Sequence, residues 1–174
     1  MTDVLVAAEE SVETVSNSSV LDAIKARRRE LAGSKNLTLQ VPGYGGHLLI
    51  KYKAVSEQEL RPITQKVEKS LNSNKESSYL DLAADLLIKA CDDVLVRETL
   101  DADAEPIDKQ AATTFSTGTL NDYLGLDAKT AREEVFQLFS PDGSQPLAAT
   151  QHAQAITSWL QGNLEEIDKQ LLGE

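Results

Sequence analysis

One cysteine, two histidines, one tryptophan and 5% aromatic residues leave this chain little with which to do chemistry, and each scarcity closes a class of function. Cys91 is alone, so no intramolecular disulfide forms and nothing points to an oxidising compartment. It lies in an apolar helical pattern with no His or second Cys at ligand spacing, which reads as a small buried hydrophobe. Neither His47 nor His152 belongs to a motif, so each reads as a surface or packing residue rather than an acid–base group. Asp92-Asp93 and Glu165-Glu166 are adjacent acids, and neighbours on a helix point in different directions instead of forming a carboxylate pair. Nucleophile elbow, P-loop, His-Glu-x-x-His and Cys-x-x-Cys are all missing. The sequence therefore assigns no catalytic, cofactor-binding or metal residue, and it argues against an enzyme.

Long apolar runs are lacking too. No stretch approaches the roughly 18 residues of a membrane span. The start, MTDVLVAAEESVETVSNSS, has neither the basic opening nor the continuous apolar core of a secretory signal. A soluble protein of a reducing cytoplasm is the expectation, with no membrane partner.

What is present is an aliphatic, acidic chain of 174 residues, a length that suits one domain plus a tail. Apolar residues make up 41%, and with so few aromatics the core must rest on Leu, Ile, Val and Ala. The net charge of −11 is uneven: residues 1 to 99 hold 15 acids against 13 bases, whereas residues 100 to 174 hold 13 acids against 4 bases. Such a C-terminal part repels a phosphate backbone, which argues against nucleic acid as a partner. Net charge of this kind serves solubility, and it also offers an acidic surface to a basic partner.

Met1 to Ser19, with four acids and no bases, reads as a disordered acidic arm. Residues 20–35 read as a short basic helix and linker, with Val20, Ile24 and Leu31 near one face, Lys25, Arg27, Arg28 and Arg29 together, Ser19 as N-cap and Gly33 as stop. Residues 36–174 then form a single α+β domain, mainly helical after residue 56. In it, Leu37, Leu39 and Val41 alternate on one face, and Leu48, Ile50 and Tyr52 do the same across a Pro-Gly-Tyr-Gly-Gly turn. This predicts an N-terminal β-hairpin, a small antiparallel sheet whose register is pinned because a one-residue slip would expose the apolar set. The glycines are not a phosphate cradle, since a strand and not a helix follows them.

Ser56 and Glu59 form a capping box ahead of Leu60, Ile63, Val67 and Leu71 at helical spacing. Pro62 lies too deep for a first turn, so the helix is expected to begin near Arg61 or to kink there. Tyr79, Leu82, Ala83, Leu86, Leu87, Ala90 and Cys91 give the cleanest amphipathic pattern, the central helix against which the hairpin is expected to pack. Val94 to Glu98 alternates, Asp101 to Ala104 reads as a turn, and Pro106-Ile107 starts a short returning strand. Helices are expected near Thr117 to Leu124, from Ala128 to Phe139 capped by Asp127, and from Leu147 onward. In the last, Ile156, Leu160, Leu164, Ile167 and Leu171 recur at three and four residues, while Gly162 weakens the helix by about 1 kcal/mol relative to Ala. Its final turns are expected to gain from a partner surface.

Four stretches carry a resemblance: LTLQVPGYGGHLLIKY (37–52), LAADLLIKAC (82–91) leading into VLVRE, Val135 to Phe139 before the Pro-Asp-Gly loop, and the close WLQGNLEEIDKQLLGE. In pattern and order the chain resembles the tail assembly chaperones of long-tailed actinobacterial bacteriophages and prophages. The resemblance implies a host-cytoplasmic protein that binds the tape-measure protein, and by extension the tail tube protein, and keeps the tape measure soluble while the tube polymerises around it. It requires no cofactor, and a homo-oligomer is compatible with it. The expected contact residues are Trp159, Leu160, Leu164, Ile167 and Leu171. A virion structural protein, such as a head–tail connector or tail completion subunit, is the alternative. A regulator using Lys25 to Arg29 on DNA is a third reading, disfavoured by the acidic chain and the lack of interleaved aromatics.

Overall fold

In the computed structural model the chain divides into two units, Met1–Lys35 and Asn36–Glu174. The structure describes residues 19–27, 36–73 and 77–172, as backbone alone at 70–71, 77–78 and 163–172. In the first unit, residues 19–27 form helix α1, with Val20, Leu21 and Ile24 exposed and Asp22 paired to Lys25 at 4.0 Å. The expected arm over 1–18 lies outside the described residues, as does 28–35 with Arg28, Arg29 and Gly33.

The second unit is α+β. Strands β1 (Asn36–Gln40), β2 (Leu48–Lys53), β3 (Cys91–Val96) and β4 (Glu105–Pro106) pair antiparallel in sequence order. Leu37 faces Tyr52 and Leu39 faces Ile50, which is the register the alternating apolar residues demand. The turn between them is more than a loop. Gly43 and Gly46 hold φ of 91° and 81°, which favour glycine, and at Gly43 a Cβ would also come within 2.9 Å of the Pro141 ring. Tyr44 Oη donates to the Leu138 carbonyl at 3.0 Å, pinning the turn to a segment 94 residues further along the chain.

β3 follows helix α3 (Ser77–Ala90) with no connector, so Cys91 opens a strand and does not end the helix as expected. Residues three apart cannot share a face on a regular strand, yet Cys91 and Val94 are both buried in the core. A register shift solves this: Lys51 pairs with Asp93 and Tyr52 with Cys91, leaving Asp92 as the extra residue of a bulge. Displaced from the ladder, Asp92 pairs with Lys51 at 3.1 Å.

Helix α2 (Glu57–Leu71) begins at the capping box, where Glu59 N–H donates to Ser56 Oγ at 3.3 Å and Ser56 N–H to Glu59 Oε2 at 3.0 Å. The helix therefore starts ahead of Pro62 and runs through it. Gln58 and Pro62 are exposed, so the carbonyl that proline leaves without a donor falls on the solvent side of the helix. A short helix α4 (Thr119–Leu124) ends at Gly125 with φ of 63°. Helix α5 spans Ala131–Phe139, three residues shorter at its start than the expected segment, because Thr130 and not Asp127 caps it: Thr130 Oγ1 accepts from Glu133 N–H at 3.2 Å. Helix α6 spans Leu147–Leu172.

One core unites the layers, with Ile50, Tyr52 and Val94 of the sheet, Ala84, Leu87 and Ala90 of α3, Val135 and Leu138 of α5, and Ala149 and Ile156 of α6. Helix α3 is central, touching β2, α2, α5 and α6.

Candidate functional site

Three helices leave a groove between them. Leu82, Ala83, Leu86 and Tyr79 of α3 form its floor, Leu60, Ile63, Thr64 and Val67 of α2 one wall, and Thr150, Ala153, Thr157 and Leu160 of α6 the other. Its volume is about 620 Å³, and none of its lining residues is charged. The helical period explains this geometry: each segment presents residues three and four apart to the groove, while Leu87 and Ala90 of α3 and Ala149 and Ile156 of α6 face the core.

Two polar networks hold the walls in place. On the α6 side, His152 is buried, with Nδ1 2.8 Å from Tyr52 Oη and Nε2 2.9 Å from the Gln40 carbonyl. The carbonyl accepts only, which fixes the proton on Nε2 and leaves Nδ1 to accept from the Tyr52 hydroxyl. Phe139 stacks edge-on to the imidazole at 4.7 Å. Burial pushes His152 below the ordinary histidine pKa, partly offset by the bond to Gln40, and burial pushes the Tyr52 hydroxyl well above its own. The Gln40 carbonyl belongs to the outer edge of β1, so this bond both anchors α6 to the sheet and covers part of that open edge. On the other side, Asp85 of α3 takes Arg132 Nη2 of α5 at 2.8 and 3.0 Å and Lys66 of α2 at 3.4 Å. The hydrogen bond to Asp85 raises Arg132 above its ordinary value.

The other reactive groups are built into the structure. Burial, with help from Asp93, pushes the Cys91 thiol up to about 12, so it is no nucleophile at neutral pH. His47 Nδ1 lies 2.9 Å from the Arg97 carbonyl, clasping the hairpin to the end of β3. Glu134 is fully buried, and burial raises its carboxyl above the usual range; the nearby amides of Thr117 and Ser116 offset part of that, although neither oxygen makes a hydrogen bond of full geometry. Among the described residues no group of three His, Cys, Asp or Glu side chains is placed to hold a metal ion.

The structure separates the expected contact residues. Leu160 lines the groove, whereas Trp159, one residue earlier and so about a quarter-turn round the helix, is half-buried outside it. The side chains of Leu164, Ile167 and Leu171 lie outside the described residues. The walls contributed by α2 and α3 were missed as a site, because the narrow stripe of Leu60, Ile63 and Val67 reads in the sequence as packing on a single neighbouring helix. Compared with protein-family models, curated proteins and solved structures, the chain matches none. No described helix is long and apolar enough to cross a membrane.

Proposed function

We propose that the protein is a phage tail assembly chaperone of the host cytoplasm, working by binding alone: it receives an apolar helix of the tape-measure protein in the groove between α2, α3 and α6. The observation that carries this reading is that groove, an open apolar channel with no charged lining residue, shaped by three helices as if for a fourth. An apolar helix laid in it removes its sticky face from water, which is what a holder of long hydrophobic helices must do. The order of the four sequence stretches supplies the identity of the partner. Leu160 is the contact residue that the groove and the sequence pattern share.

Co-expression with the neighbouring long helical gene product tests the proposal. That product should move from the insoluble to the soluble fraction, co-purify with this chain, and leave it behind in finished particles. An insoluble product despite abundant chaperone would refute the reading. Stoichiometric presence in purified virions would replace it with a structural role in the head–tail connection.

A further inference from the structure

Residues 143–164 contain no Asp, Glu, Lys or Arg, in a chain where such residues make up 26%. This stretch includes the first half of α6 and thus one whole wall of the groove. The solvent side of that wall would ordinarily carry charge. Here Gln151, Gln154, Thr157, Ser158 and Gln161 are exposed and neutral. Uncharged rim groups cost far less to take out of water than charged ones, and a charge brought against them would be desolvated without a counter-ion.

From this, and resting on the proposed binding function, we infer that the groove selects its guest by absence of charge on the α6 side: it takes a helix of a separate polypeptide whose apolar stripe, and the flank that meets α6, are neutral over three turns, whereas the α2 rim, with Arg61 and Glu68 exposed, makes no such demand. The guest is helical because all the walls are helices with their own backbone bonds made, so an extended peptide would leave its N–H and C=O groups unmatched on an apolar floor. Three turns follows from the α6 wall, which runs from Thr150 to Gln161, about 16 Å at 1.5 Å per residue. Neither α1 nor the end of α6 is such a guest. The exposed apolar residues of α1 are interleaved with Asp22, Lys25 and Arg27, and Leu164, Ile167 and Leu171 with Glu165, Glu166, Asp168 and Lys169. Two copies set groove to groove would leave both hollows unfilled.

The test uses the full chain and three synthetic helical peptides with the same leucine stripe, flanked over three turns by Gln, by Lys or by Glu, each with solubilising lysines beyond the ends. Binding is read from labelled-peptide anisotropy and from emission of Trp159, the sole tryptophan, adjacent to groove-lining Leu160. The Gln-flanked peptide should bind at least tenfold tighter than either charged one, with little dependence on salt. Thr157→Arg, a change at an exposed position checked for fold by circular dichroism, should abolish that binding. Equal or tighter binding of the Lys- or Glu-flanked peptide overturns selection by neutrality while leaving an apolar guest in place. Failure of all three peptides overturns the inference, and if co-expression fails as well, the proposed function goes with it. A dimer in sedimentation that Thr157→Arg dissolves would show that a second copy is the guest, which also overturns it.

Discussion

Replacing His152 with leucine keeps the volume of the ring roughly filled while removing both of its hydrogen bonds, so it isolates what the imidazole does for the fold. The Tyr52 hydroxyl and the Gln40 carbonyl, at 2.8 and 2.9 Å from the ring nitrogens, would both be left without their partner. An unsatisfied buried group costs about 1–3 kcal/mol; the Tyr52 hydroxyl is fully buried while the Gln40 carbonyl sits at the part-exposed sheet edge, so the predicted loss is about 2–3 kcal/mol, a large share of the 5–15 kcal/mol that holds a typical domain together. The same residue gives a pH signature. Because burial holds His152 below its unfolded value of about 6.5, the unfolded chain binds a proton in the window just below that pH while the folded chain does not. His152 therefore makes stability fall as pH drops from about 6.5 to the folded pKa, by up to about 1.4 kcal/mol per pH unit, with no further loss from this group below that. Urea titrations followed by far-ultraviolet circular dichroism from pH 7.5 to 5 measure both quantities. The leucine variant should be weaker at neutral pH and should lack the histidine's share of the slope. A loss under 1 kcal/mol, or an unchanged slope, would refute the account of this network.

Thr130→Ala removes the α5 cap and should cost about 1 kcal/mol by chemical denaturation, whereas Asp127→Ala, expected from sequence to matter more, should cost less. Gly162→Ala meets nothing within 4 Å and should stabilise α6 by about 1 kcal/mol, seen as a higher urea midpoint and more helical ellipticity. Glu134→Gln is isosteric and neutral; since burial raises this carboxyl, native Glu134 favours the fold less as pH climbs above about 4.3, so the urea midpoint of the variant should gain on that of the native chain between pH 4 and pH 7. Gly43→Ala combines a φ of 91° with a 2.9 Å approach to Pro141 and should lower the melting temperature, while Gly143→Ala, strained but unobstructed, should lower it less.

Wherever a signal is local, the sequence was legible. Ser56 and Glu59 start α2 at their capping box, ahead of the start near Arg61 that Pro62 had left as an alternative, and the alternation in 37–52 yields the hairpin in its register. One misreading falls where a distant contact overrides a local pattern. Cys91 continues the helical apolar spacing of α3, but pairing with β2 and a bulge at Asp92 draw it into a strand. The α5 start was legible and overlooked: Thr130 and Glu133 stand at capping-box spacing just as Ser56 and Glu59 do. His152 gave no signal, because its partners lie 100 and 112 residues away.

Period and capping, which act over a few residues, determined the element types, the hairpin, the aliphatic core and the neutral stretch from 143 to 164. The tertiary structure decided the joining of two hairpins into one four-stranded sheet, the anchoring of α6 by a buried imidazole, and the channel between α2, α3 and α6. Each of these depends on segments tens of residues apart meeting in space, and the free energy that brings them together comes from burying surfaces that no single stretch of sequence contains.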